Sequence, residues 1–230
     1  MSGPGTASLH GRERGSALLP VLLLMFLFAA VSMAIAVAVQ IEIKVASRHV
    51  AAASALYAAD AGIAAAIAEL RGLPSWAPVL SGTVRSVHTD GVFGGVKPVP
   101  GGGTVLICCG MQSAIGRLAT DTSSSARTAR RNIEWQPFLW VSAHVLLPGD
   151  PPSRSYVIVW VADDEEDDDG DAQVDANGIV VLRAEANEAS GVRRVTEAYV
   201  ARQPVAGAGG EGEDEVVPQA VGVRAWREVR

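Results

Sequence analysis

Residues 16–39 are twenty-four consecutive positions without a charged side chain, and they follow a head that carries Arg12, Glu13 and Arg14. The run opens Ser16-Ala17-Leu18-Leu19-Pro20-Val21-Leu22-Leu23-Leu24-Met25-Phe26 and stays apolar to Val39. A helix crosses the hydrocarbon core of a bilayer with about 20 apolar residues, so this run is long enough to span. Arginine immediately before a first span favours an N-terminus in the cytoplasm and the remainder on the far side. The charge bias is slight, because Glu42, Lys44 and Arg48 follow the other end. Two ordinary readings fit this stretch. It can be a plain transmembrane anchor, or a secretory signal peptide with Ala36-Val37-Ala38 as its exit. An apolar signal region is usually about 7 to 15 residues, so this run is long for one. The helical pattern also continues through the proposed cut.

The chain has 230 residues and a net charge of −6, which argues against a nucleic-acid partner. Aromatic residues make up only 5% of it, so large core side chains are few and must be concentrated. The acid is concentrated too. Nine of the 25 Asp and Glu residues fall between Asp163 and Asp175, and no Lys, Arg or His lies between Ser155 and Leu182. The two cysteines, Cys108 and Cys109, are adjacent, which places them poorly for an ordinary mutual disulfide. They read as two thiols of one strand, with a strained vicinal bridge or an intermolecular bridge as the alternatives.

The segment Glu13-Arg14-Gly15-Ser16-Ala17-Leu18-Leu19, with the apolar run behind it, resembles the start of PilX-type minor pilins of type IV pili. That resemblance implies a leader of residues 1–15, cut by a prepilin peptidase between Gly15 and Ser16. Ser16 would become the mature, N-methylated end. Losing two arginines and one glutamate would move the net charge from −6 to −7. Most major pilins carry glutamate at the fifth mature position, and here that position is Pro20. Proline is tolerated in the first helical turn. PilX-type minor pilins and GspK-type pseudopilins of type II secretion often lack this glutamate as well, so the resemblance points to a minor subunit. Ala58-Ala59-Asp60-Ala61-Gly62-Ile63 is similar to the A-E-A-G segment that closes the PilX N-terminal region, with Asp60 in place of glutamate.

Beyond the span, Ile41, Val45, Ala52, Leu56, Ala59, Ile63, Ile67 and Leu70 recur at helical spacing. They predict an amphipathic helix running on to Leu70. Its small residues would permit close packing in a filament core or against the protein's own sheet. Gly72-Leu73-Pro74 supplies the stop. Further on, residues 79–87 and 104–109 read as strands, separated by a run of turn formers from Gly91 to Gly103. Thr120 to Ser125 reads as a surface loop, and Arg127, Arg130 and Arg131 as a solvated basic cluster. Residues 135–141, interrupted by Pro137, read as an edge strand. Ser155-Tyr156-Val157-Ile158-Val159-Trp160-Val161-Ala162 reads as a central strand. Residues 179–186, 193–202 and 220–227 complete an antiparallel meander of about four strands, with the long helix on one face. A Gly/Glu-rich stretch, residues 206–215, precedes the last strand. The expected class is α+β and pilin-like. It comprises a leader (1–15), an N-terminal helix (16–71, spanning over 16–39) and a β-rich domain on the periplasmic or extracellular side (75–230).

The acidic stretch is the candidate ligand site. Many carboxylates in one loop repel each other, and a hard cation such as Ca²⁺ takes six to eight oxygens from such groups. Asp167, Asp169, Asp171, Asp175 and Asn177 are the candidate calcium ligands. The spacing is not that of an EF-hand, because Ala184 stands where the closing glutamate would be. A solvated loop and a loop facing a basic partner remain alternatives. No nucleophile, zinc or nucleotide motif accompanies His10, His49, His88 and His144, so catalysis is not expected. The resemblance implies a structural role in pilus assembly, in the inner membrane first and at the cell surface afterwards. The implied partners are other pilin subunits, the prepilin peptidase and a tip adhesin. A GspK-like pseudopilin and a membrane-anchored calcium-binding domain are the other readings.

Overall fold

The computed structural model describes residues 18–100, 102–107, 134–149, 153–167, 169–203 and 220–229. Expectations about Gly15, Ser16, Cys108, Cys109, residues 120–125, the arginines at 127–131 and the 206–215 stretch lie outside these residues. Helix α1 runs Leu18–Leu70. The chain divides into two compact units, Met1–Arg48 and His49–Arg230.

In the first unit every described residue is exposed, from Leu18 through Arg48. Leu18–Leu70 is long and apolar enough near its start to span a membrane. Length and composition alone give that property, which a signal sequence shares. Apolar side chains such as Phe26, Met33 and Ile35 are exposed, with none of the described residues of this unit covering them.

The second unit is a helix packed on a five-stranded antiparallel sheet. The sheet order is β3 (Gln136–Ser142), β4 (Ser155–Asp163), β5 (Ile179–Glu188), β6 (Arg193–Gln203), β7 (Ala220–Val229). Each strand therefore pairs with its neighbour in sequence. A separate hairpin joins β1 (Gly95–Pro98) to β2 (Thr104–Ile107). Short helices α2 (Ala77–Leu80) and α3 (Ala143–Leu146) fill the connections.

Three expectations about the fold are corrected. The sheet has five strands where about four were expected. Residues 79–87 are not a strand: Pro78 sits in the first turn of α2, and a tight turn follows at Gly82. Proline fixes a helical φ and lacks a donor for a ladder. The glycine-rich run contains β1, which the turn formers conceal.

The buried stripe of α1 is Ala55, Ala58, Ala59, Gly62, Ile63, Ala66, Ile67 and Leu70. Half of the predicted stripe is kept (Ala59, Ile63, Ile67, Leu70). The rest of the contact is made by alanines, because only small side chains let helix backbone and sheet come close. Gly62 marks the closest approach. A Cβ there would lie 2.6 Å from Val157 Cγ1 and 3.0 Å from Val159 Cγ2. Beyond the helix, the Trp76 indole donates to the Leu70 carbonyl at 3.1 Å. Arg202 stacks 4.3 Å from the Trp76 ring centre and donates to Pro74 O. Arg71 donates to Val221 O.

The other face of the sheet holds Trp140, Tyr156, Ile158, Trp160, Ala162 and Val181, packed with Val99, Val105 and Ile107 of the hairpin region. Phe93 sits edge-on to Trp140 and Trp160, 5.2 and 5.3 Å between ring centres. Arg183 and Glu197 face each other across β5 and β6 at 2.6 Å, both almost fully buried, and Arg227 of β7 closes on the second oxygen of Glu197. Burial alone would raise the Glu197 carboxyl's pKa, but the Arg227 hydrogen bond and the Arg183 and Arg227 charges outweigh it and hold the pKa below its ordinary value.

Replacing Gly62 with alanine should force the helix off β4 and destabilise the domain by about 1–3 kcal/mol, the usual cost of overpacking. Thermal unfolding of the full chain in detergent tests this, and an unchanged midpoint would contradict the close approach.

Candidate functional site

The acidic loop leaves the end of β4 and returns into β5. Asp163 and Asp164 are both buried at the strand end. The loop's carboxylates are used first on its own backbone. Asp163 Oδ1 accepts from Asp164 N, and Asp164 Oδ2 from Glu166 N. Asp167 Oδ2 accepts from Ala176 N and Asn177 N, at 2.8 and 3.1 Å, and so ties the two limbs of the loop together. Asp167 Oδ1 accepts from Asp169 N, Asp169 Oδ1 from Asp171 N, and Asp171 Oδ1 from Gln173 N. Asp175 Oδ1 takes the N–H groups of Gly178 and Ile179, and Asn177 Nδ2 donates to Asp164 Oδ1. These are local side-chain-to-backbone turns, the reason aspartate and asparagine favour such loops. Gly178, at φ 77°, adopts the left-handed conformation that returns the chain to β5.

Among the described residues, Asp163, Asp167 and Asp169 each offer a carboxylate oxygen within 4.8 Å of the others. Of the five ligand candidates from the sequence, Asp167 and Asp169 are in this group. Asp171, Asp175 and Asn177 cap turns of the same loop, as Asp163, Asp167 and Asp169 also do. Asp163 was missed because it ends an apolar strand and reads as part of it. Carboxylate oxygens keep a lone pair after one hydrogen bond, so the group is chemically suited to a hard cation, although three oxygens are fewer than the six to eight calcium takes.

Burial pushes the Asp163 carboxyl up to about 7, against the Asp164 N–H that lowers it, and the charges of Asp167, Asp164 and Asp175 push the same way as burial. Asp175 is also raised, by burial first, despite the Gly178 N–H and the charge of Arg202.

The histidines lie elsewhere. His49 is exposed on α1, His88 stands 3.8 Å from Glu69, and His144 Nδ1 lies 2.9 Å from Ser142 Oγ. Glu69 accepts from Ser86 Oγ and Val87 N. A shallow apolar hollow of about 390 Å³ opens between Ala61, Ala64 and Ala65 of α1 and Val145, Leu146 and Leu147.

Compared with known proteins, the chain matches no family model, no curated protein and no solved structure.

Asp163 binds its proton more tightly in the folded state than in the unfolded chain, where its value is near 3.8. Its contribution to stability is therefore full below about pH 4 and is lost as pH rises through about 7. The melting temperature of the full chain should fall between about pH 4 and pH 7, and Asp163→Asn should flatten that slope. An equal slope in the variant would show that Asp163 is not the group responsible.

Proposed function

We propose that this chain is a minor pilin-type subunit, inserted in the bacterial inner membrane through residues 16–39 and assembled into a type IV pilus after cleavage between Gly15 and Ser16. The observation that supports the reading is α1 itself: an exposed apolar stretch of spanning length in the first unit, and in the second unit a helix packed on an antiparallel sheet. The mechanism is physical. A helix with nothing of its own to pack on exchanges lipid for neighbouring helices, and small side chains permit that contact. The partners are then other pilin subunits, the prepilin peptidase and a tip adhesin. A GspK-like pseudopilin would use the same helix in a secretion system. Mass spectrometry of the mature N-terminus, from membranes with and without the prepilin peptidase, tests the reading. A peptide starting at Ser16 that is lost without the peptidase is expected. A start at Val39 would mean ordinary secretion, and an intact leader a simple anchor.

A second reading, a membrane-anchored calcium-binding domain, is favoured by the convergence of Asp163, Asp167 and Asp169. A cation there would offset the charges of Asp167, Asp164 and Asp175, which add to burial in raising the Asp163 carboxyl. A ligand that prefers the native state raises its stability by about 2.7 kcal/mol at 100 times its dissociation constant. Excess calcium should therefore raise the melting temperature of the full chain, and Asp167→Asn should abolish the rise. No rise in the native protein would end the metal reading.

A further inference from the structure

β7 is held differently from the strands before it. In β4 every residue is buried, and in β5 all but one. In β7 only Val221 is buried, while Val223 and Trp226 are half exposed. Among the described residues its ladder is made with β6 alone. That ladder is interrupted at Arg224, which has no register partner because Tyr199 pairs with Ala225 and Val200 with Val223. Few side-chain contacts add to it. Arg71 donates to Val221 O, Arg227 Nε donates to Glu197 Oε2 at 2.9 Å, and Glu228 lies 3.6 Å from Arg194.

Taking β7 away leaves no orphaned charge behind. Glu197 keeps Arg183, 2.6 Å away across β5 and β6. The costly case, a buried charge stripped of every partner, does not arise. β3 to β6 keep their own pairings without β7. Elements with little buried area are the ones that open below the global unfolding limit.

We propose that β7 is an exchangeable strand, which leaves the edge of β6 and takes the same edge on a second copy of this chain. The vacated edge specifies its occupant. Another β7 restores the register, the Val221 position and the Arg227–Glu197 bond residue for residue, which is why exchange of an identical element costs little. The chain has the reach. Residues 204–219 join β6 to β7, and sixteen residues extend up to about 53 Å. Five strands at about 4.8 Å spacing are about 19 Å across. Copies joined this way are tied by main-chain hydrogen bonds along a sheet edge. Every contact used lies in the second unit, so the inference stands apart from the filament reading.

The test uses full-length chain in detergent with Cys108 and Cys109 replaced by serine. Thr196 and Glu228 are register partners, and directly opposed positions have Cβ atoms about 4.5–5.5 Å apart, close to disulfide reach. The Thr196 hydroxyl has no hydrogen-bond partner among the described residues, so cysteine is a mild change there. Isotopically light chain carrying Thr196→Cys is mixed with heavy chain carrying Glu228→Cys, incubated and oxidised, and the peptides are read by mass spectrometry. The expected product is a disulfide from position 196 of a light chain to position 228 of a heavy one. Arg227→Gln in both chains should speed its formation about tenfold, the equivalent of 1.4 kcal/mol. In hydrogen exchange of the unsubstituted chain, the β7 amides should exchange well before those of β4 and β5. Three outcomes overturn the proposal. A chain carrying both substitutions closes on itself while the mixed chains give no product, so the strand stays at home. The β7 amides exchange only together with those of β4 and β5, so any product comes from whole-domain unfolding. The doubly substituted chain does not close either, so the register itself is wrong. None of these depends on whether the mature N-terminus is Ser16, which tests the filament reading alone.

Discussion

Gly62 sets the distance between helix and sheet. With hydrogen in place of a side chain, the α1 backbone approaches Val157 of β4 more closely than any Cβ would allow, and Val159 nearly so. The contact works only because its neighbours on the same face are also small. Ala55, Ala58, Ala59 and Ala66 are all fully buried. Alanine costs little conformational entropy in a helix, so the seam is both tight and strongly helical. The valines of β4 supply the bulk that the helix lacks. At its end the seam is fastened by Trp76 and Arg202, one donating to the helix's last carbonyl and the other lying across the ring.

A tight helix face leaves the opposite face of the sheet to be covered by other means. Half of the chain's twelve aromatic residues gather there. Trp140, Tyr156 and Trp160 present their rings to Phe93 and the β1–β2 hairpin. The outer edge of β3 is protected in turn. The amide N–H groups of Ser86 and Asp90 donate to Phe138 O and Trp140 O, so the preceding segment runs along the strand and closes an edge that would otherwise be open.

Long, uniform segments were legible in the sequence and short or mixed ones were not. The strands from 155, 179, 193 and 220 were found because each is an extended run of β-branched and apolar residues. Pro137 correctly marked β3 as an edge strand, with a register shift between Pro137 and Leu139. The α2 turn was misread because Val79 and Val84 look like strand residues, whereas Pro78 acts as a helix starter. β1 was hidden because Gly95 and Pro98 are poor strand formers, and only its pairing with β2 makes it a strand. In the acidic loop, composition pointed to Asp167 and Asp169. It could not single out the carboxylates that converge, because Asp163, Asp167 and Asp169 cap backbone N–H groups just as Asp171, Asp175 and Asn177 do. Asp163, at the foot of a strand, was read as part of the strand.

The meander has a consequence for the order in which the fold can be acquired. From β3 to β7 each strand hydrogen-bonds to the one made just before it, so contacts are local and the loop-closure entropy of each pairing is modest. A chain delivered from its N-terminus can add strands one at a time onto a surface already started. The β5–β6 turn is the short one, residues 189–192, whereas residues 143–154, 164–178 and 204–219 join the other three pairs. Arg227 arrives with the last strand. Among the described residues Glu197 pairs with Arg183 of β5 and Arg227 of β7, so the closing strand adds the second guanidinium to this buried carboxylate.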